Sequence, residues 1–156
     1  MHPQAAKPVC SLMFCGMPHT TIVKGNWGSW GARKTLHDLF LFQCALFNKI
    51  LEDTPKNGKV LDVCCGTGDI SISLAEKRGD LSITGVDFSS AMLNEAVKKS
   101  ENLNIVWQKA DALSLPFEDS SFSVATISFG LRNTVDYEKV LKEMIRVVKK
   151  DGYIYC

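Results

Sequence analysis

The sequence predicts an α/β domain built on a parallel, doubly wound, Rossmann-like sheet. Three observations carry this. Short apolar runs alternate with helical patterns from Lys59 onward; the first run opens into VLDVCCGTGD (60–69), with Gly66 and Gly68 in its turn; and Asp87 closes the second run 21 residues after Gly66. Strands alternating with helices form crossover units and a sheet covered on both faces. In such sheets ligands sit at the carboxyl ends of the strands, beside the point where strand order reverses.

Residues 1–34 hold Pro3, Pro8 and Pro18 without a sustained period and read as an irregular N-terminal arm. The core is expected over 35–156. TLHDLFLFQCALFNKIL (35–51) is a helix apolar around most of its circumference, either packed on the sheet or walling an apolar substrate. KVLDVCC is a buried strand, and DISISLAEKR a helix with Asp69 in the first turn, where the positive dipole end favours a carboxylate. LSITGVD is the second strand, and Ser89 or Ser90 caps the helix AMLNEAVKKS. NIVWQKA is the third strand; the turn PFEDSS leads into the fourth, FSVATIS. Asp136 caps YEKVLKEMIRVVKK, whose Tyr137, Val140, Leu141, Met144, Ile145 and Val148 recur with helical spacing. Gly152 is expected to stop that helix and GYIYC to begin a fifth strand.

Composition excludes several classes of function. With 156 residues, 46% apolar content and a net charge of +1, the chain is an ordinary globular domain. Its lysines are scattered or paired at helix ends, with no basic stripe interleaved with aromatics, so nucleic acid is not an expected partner. The six cysteines lack the spacing of a metal site, which points to reduced thiols, a cytoplasmic location and no metal. LFLFQCALF is too short to span a bilayer.

The glycine loop and Asp87 suit a ligand with a ribose, held by its hydroxyl pair at the strand end. Charge chooses between ligands. Asp69 in the first helical turn and Asp62 behind it would repel the pyrophosphate of a dinucleotide, and Ser71 stands where the third glycine of G-x-G-x-x-G belongs. S-adenosylmethionine has no phosphate and brings an ammonium, a sulfonium and a carboxylate, so Asp62 and Asp69 can attract its cationic end while loop amides take its carboxylate. Asp62 could instead satisfy backbone donors in the turn, and Asp69 could serve the helix dipole alone. Asp111, after the third strand, could meet the adenine amino group or be an ordinary turn aspartate. Cys64 occupies the first glycine position of the loop and should fit if the backbone there does not need a positive φ.

VLDVCCGTGD, GVDFSSAML, KADALSLPFEDSSF and above all ISFGLRN (127–133) resemble the ubiquinone/menaquinone biosynthesis C-methyltransferase family. The tandem-cysteine loop is similar to the menaquinone branch, and the likeness runs from about Lys59 to Cys156. The resemblance implies a class I S-adenosylmethionine-dependent methyltransferase fold and methylation of demethylmenaquinol or a polyprenyl benzoquinol at a ring carbon. It implies that Gly66, Thr67 and Gly68 form the donor loop, that Asp87 holds the ribose and Asp111 and Ala112 the adenine edge, and that Ser128 touches the donor. Gly130, Arg132 and Asn133 would lie beside the quinol, Arg132 or Asn133 holding a water that serves as base. It also implies that the chain lacks the last strands of the family fold and is truncated at its C-terminus. GYIYC would then be a bare apolar edge, open to a second copy, and a polyprenyl substrate would bring peripheral contact with a membrane. Two alternatives stay open: a methyltransferase for another small molecule, and a non-catalytic form that binds the cofactor or a partner.

Overall fold

The buried runs KVLDV and FSVATI take the middle of the sheet. The structure is a computed structural model and describes residues 14–15, 47–128 and 130–156. Strand β1 is Phe14–Cys15, β2 Lys59–Val63, β3 Ser82–Asp87, β4 Ile105–Lys109, β5 Phe122–Ile127 and β6 Val148–Tyr155. β5 is buried throughout and β2 at every residue but the first, as parallel strands covered on both faces must be. The sheet order is β1-β6-β5-β2-β3-β4, with every pairing parallel except that of β1 with β6. Order reverses at β2, whose neighbours are β3 on one side and β5 on the other. That is the doubly wound sheet the alternation predicts.

Strand alternation splits the core into two layers. Leu61, Val63, Ala125 and Ile127 pack against Val140, Met144 and Val147 of helix α4 (Tyr137–Val147). Val60, Ile83, Val124 and Tyr155 face the other way, onto Ile50 of helical residues 47–53 (α1) and Leu74 of α2 (Asp69–Lys77). Each Val, Leu, Ile or Met side chain so buried contributes roughly 1.5–3 kcal/mol. Ser89 is the cap of α3 (Ser90–Lys99), its Oγ accepting the Met92 N–H at 3.4 Å. Asp136 caps α4 through the Lys139 N–H at 3.0 Å. From α4, Arg146 donates to the carbonyls of Leu115 and Phe117 and to Asp119 and Glu143, fixing the turn that feeds β5.

Three expectations change. The helix YEKVLKEMIRVVKK ends at Val147 rather than at Gly152; Val148 already pairs with Phe122, and the strand detours through 149–152 before Tyr153 pairs with Val124. Gly152 is needed where the strand returns, because a Cβ there would lie 2.5 Å from the Ser123 carbonyl and from Val148 Cγ1. The buried face of α4 is Val140, Met144 and Val147, whereas Tyr137 and Ile145 are exposed: side chains lean toward the helix N-terminus, and the strand after Val147 turns the seam. Finally, GYIYC is not a bare edge, since Phe14 pairs with Tyr155 and Cys15 with Ile154. A strand from the predicted irregular arm supplies a two-residue antiparallel ladder, which covers part of the edge expected to be open to a second copy. Of the helix expected over 35–51, residues 35–46 lie outside the described residues.

Candidate functional site

A cavity of about 630 Å³ opens at the carboxyl ends of β2, β3, β4 and β5, within the usual range of small-molecule sites. Four strand ends supply its wall: Cys64 and Gly66 after β2, residues 87–89 after β3, 110–113 after β4, and Ser128 with Gly130 and Asn133 after β5. These are the switch-point positions that the strand order selects.

The donor loop is a succession of left-handed residues: φ is +54° at Cys64, +56° at Gly66 and +80° at Gly68. The proviso attached to Cys64 therefore fails. The position does need a positive φ, which costs an L-residue about 1–2 kcal/mol. The side chain held there fills the space beside Gly130, where an added Cβ would overlap Cys64 Cβ. Gly130→Ala is accordingly expected to lower stability by about 1–3 kcal/mol. Cys64→Gly should restore much of that loss in the double variant, a coupling that thermal unfolding of the two single variants and the double would read. Burial disfavours the thiolate form of both thiols of the tandem pair. Burial, then the charges of Asp87 and Asp62, push Cys64 up to about 11, and burial drives Cys65 higher still.

Asp87 is the best-anchored group in the cavity. Its two carboxylate oxygens accept the Gly66 N–H at 2.9 Å and the Ser89 N–H at 2.8 Å, which locks the side chain between donor loop and helix. Each oxygen keeps a lone pair for a ligand. Asp111 is exposed, and its Oδ1 accepts the Leu113 N–H at 2.9 Å, so the ordinary turn role is present. Ala112 beside it is buried in the same wall.

Asp62 stands behind the wall. Val60, Asp62 and Val124 share the α2 face, and the Ser71 hydroxyl donates to the Asp62 carboxyl at 2.7 Å. Burial pushes Asp62 up to about 7, against the hydrogen bond from Ser71 that pulls it down. Asp69 is 79% exposed and meets Lys99 Nζ at 2.9 Å and the Thr67 hydroxyl at 3.1 Å. The Lys99 bond holds its carboxyl below the usual range. Thr67, Gly68 and Asp69 do not line the cavity, and Arg132 lies exposed on the single 3-10 turn Leu131–Asn133, outside the wall that includes Asn133.

Sequence reasoning missed the support under the loop. The Trp107 ring covers Gly68 and Gly85, and an added Cβ at either would overlap it. Its indole N–H donates to Ser100 at 2.8 Å. A glycine inside a strand marks such a close approach, and Gly85 was the available signal.

The wall tests which cofactor fits. Among the described residues its charged side chains are Asp87 and Asp111, with no lysine, arginine or histidine. Such a wall repels a pyrophosphate and suits a cationic, phosphate-free ligand. A model of the ubiE/COQ5 methyltransferase family matches residues 36–156.

The chain belongs to this family.

Demethylmenaquinone methyltransferases of Bacillus licheniformis and Staphylococcus epidermidis are 49% and 50% identical to this methyltransferase-family chain over 108 and 103 residues. Those matches take in 68% and 65% of it but 47% and 43% of the relatives, so it spans about half their length. Among solved structures, the PH0226 protein of Pyrococcus horikoshii superposes with a TM-score of 0.65 at 29% identity, over 75% of this chain and 56% of that one. A SAM-dependent methyltransferase of Thermotoga maritima gives 0.56 at 28% identity, over 71% and 48%. The fold is that of the class I SAM-dependent methyltransferases, a class that takes its methyl group from S-adenosylmethionine.

Proposed function

We propose that this chain methylates a quinol ring carbon, with demethylmenaquinol or a polyprenyl benzoquinol as acceptor. One observation carries the reading: a switch-point cavity whose charged lining groups, among the described residues, are the carboxylates of Asp87 and Asp111. When bound, S-adenosylmethionine supplies an electrophilic methyl group. Asp87, already oriented by Gly66 and Ser89, accepts from the ribose hydroxyls. Asp111 and Ala112 meet the adenine edge, and Gly66 brings its backbone close to the donor. Ser128, Gly130 and Asn133 form the facing wall, where the quinol would lie.

A quinol carbon becomes nucleophilic when a ring hydroxyl loses its proton. Burial keeps the Cys64 thiol protonated at neutral pH, so it is not the group that takes that proton. Asn133 is the polar group of 131–133 in the wall, so it is the residue that would hold a water to take the proton. Asn133→Ala should lower turnover about tenfold or more while S-adenosylmethionine affinity stays within about twofold. Transfer of labelled methyl to demethylmenaquinol, set beside a panel of other phenols, tests both the role and the acceptor; full turnover in the variant would sink the role. A polyprenyl acceptor would bring the chain to a membrane surface from the cytoplasmic side. No helix among the described residues is long and apolar enough to cross a membrane.

A further inference from the structure

We infer that the end of α3 braces the donor loop, with Lys99 and Trp107 as positioning residues for the cofactor; the inference rests on the S-adenosylmethionine reading. Two side chains reach the loop, one at Thr67 and Asp69 and the other at Gly68. Lys99 Nζ donates to the Thr67 hydroxyl and to Asp69 Oδ1, both at 2.9 Å, while Thr67 Oγ1 donates to Asp69 Oδ2 at 3.1 Å. Trp107 lies close enough against Gly68 and Gly85 that neither position has room for a Cβ.

Both arms start from one place. Lys99 is the last residue of α3, and the next residue, Ser100, accepts the Trp107 indole N–H at 2.8 Å while its hydroxyl donates to the Ala96 carbonyl at 2.8 Å. The residues so gripped, Thr67, Gly68 and Asp69, follow directly on the left-handed Gly66, whose N–H is held by Asp87. A loop with three positive-φ residues has alternative conformations open to it, since glycine moves freely across φ. Fixing it before the ligand arrives removes an ordering cost from binding.

The Lys99–Asp69 pair is a poor stabiliser, with side chains 46% and 79% exposed, and pairs of this kind contribute about 0–1 kcal/mol. Its effect should therefore fall on the loop and not on global unfolding. It also gives Asp69 a partner within the protein, which leaves the loop less negative than the sequence implies.

The test is calorimetric S-adenosylmethionine binding by the 156-residue chain, run beside ligand-free melting of each variant. Lys99→Ala is expected to weaken binding about fivefold or more with the melting midpoint within about 2 °C of wild type, and Lys99→Arg to recover most of the loss. Trp107→Phe, which keeps a ring but loses the bond to Ser100, should weaken binding by a similar factor. Binding within about twofold of wild type in both folded variants would overturn the brace. So would a Lys99→Ala chain that loses affinity only in step with its melting midpoint, because the role would then be structural. A wild-type chain that is folded and does not bind takes the inference down together with the cofactor reading, an outcome distinct from the other two.

Discussion

Asp87→Ala should reduce S-adenosylmethionine affinity by about 10²–10³-fold, the largest single loss expected of any residue in the cavity wall. Two effects combine. The carboxylate would accept from two ribose hydroxyls, and hydrogen bonds to a charged group contribute about 1.5–3 kcal/mol each. It also fixes the loop that receives the rest of the cofactor, through the Gly66 N–H at 2.9 Å and the Ser89 N–H at 2.8 Å. Those two donors lose their acceptor in the variant, so the ligand-free chain should become less stable by about 1–3 kcal/mol. Asp87→Asn separates the effects. Its amide oxygen can still accept one of the two backbone N–H groups while its NH2 leaves the other without an acceptor, so stability should return only in part and the charge for the ribose not at all. Calorimetry on wild type and both variants, with melting of each, reads both quantities. Affinity in Asp87→Ala within about threefold of wild type would mean that Asp87 is a strut for the loop and that the ribose is held elsewhere.

The parts legible in the sequence are those where a residue's own pattern decides its place. KVLDV, SITGVD and FSVATI are apolar runs between turn residues, and each became a buried parallel strand within a residue or two of its expected span. Asp87 and Gly66 meet in the cavity wall as the sequence suggests, because strand end and glycine turn are local features. Elsewhere a neighbour distant in sequence decided the outcome. Nothing in VVKKDG announces that Val148 enters the ladder opposite Phe122, since that depends on the bulged register of β6 against β5. Asp69 looked available to a cofactor until Lys99, 30 residues away, was placed beside it. Trp107 read as one residue of a strand, and only the pairing of β3 with β4 lays it across Gly85. Cys64 is the opposite case, where the deviation was visible but its sign was not. A cysteine at a glycine position either avoids the left-handed region or fills a space that requires it, and the absent Cβ of Gly130 is that space.

Asp62→Asn is expected to stabilise the ligand-free chain at neutral and higher pH, and the size of the gain measures a charge the fold keeps against its own interest. The carboxyl is 2% exposed, lies under α2 and has a pKa raised by burial from 3.8 to about 7. Between those values the folded chain retains a proton that the unfolded chain has released. Unfolding free energy therefore falls as pH rises across roughly 4 to 7 and is level above that. By the interval between the two pKa values, the loss is on the order of 4 kcal/mol. Asparagine has no such slope, and its amide oxygen can still accept the Ser71 hydroxyl. The strand partner Thr126 has a buried hydroxyl with no hydrogen-bond partner among the described residues. Unfolding followed against pH should show the wild-type curve dropping through that window and the variant flat. Cofactor affinity decides what the charge is for. If Asp62 attracts the cationic end of S-adenosylmethionine, wild-type affinity should rise as pH passes about 7 and the Asn variant should bind several-fold more weakly, without that rise. A variant that is more stable and binds as tightly at every pH would confine Asp62 to its bond with Ser71, and the attraction for the cofactor would then belong to Asp87 and Asp111.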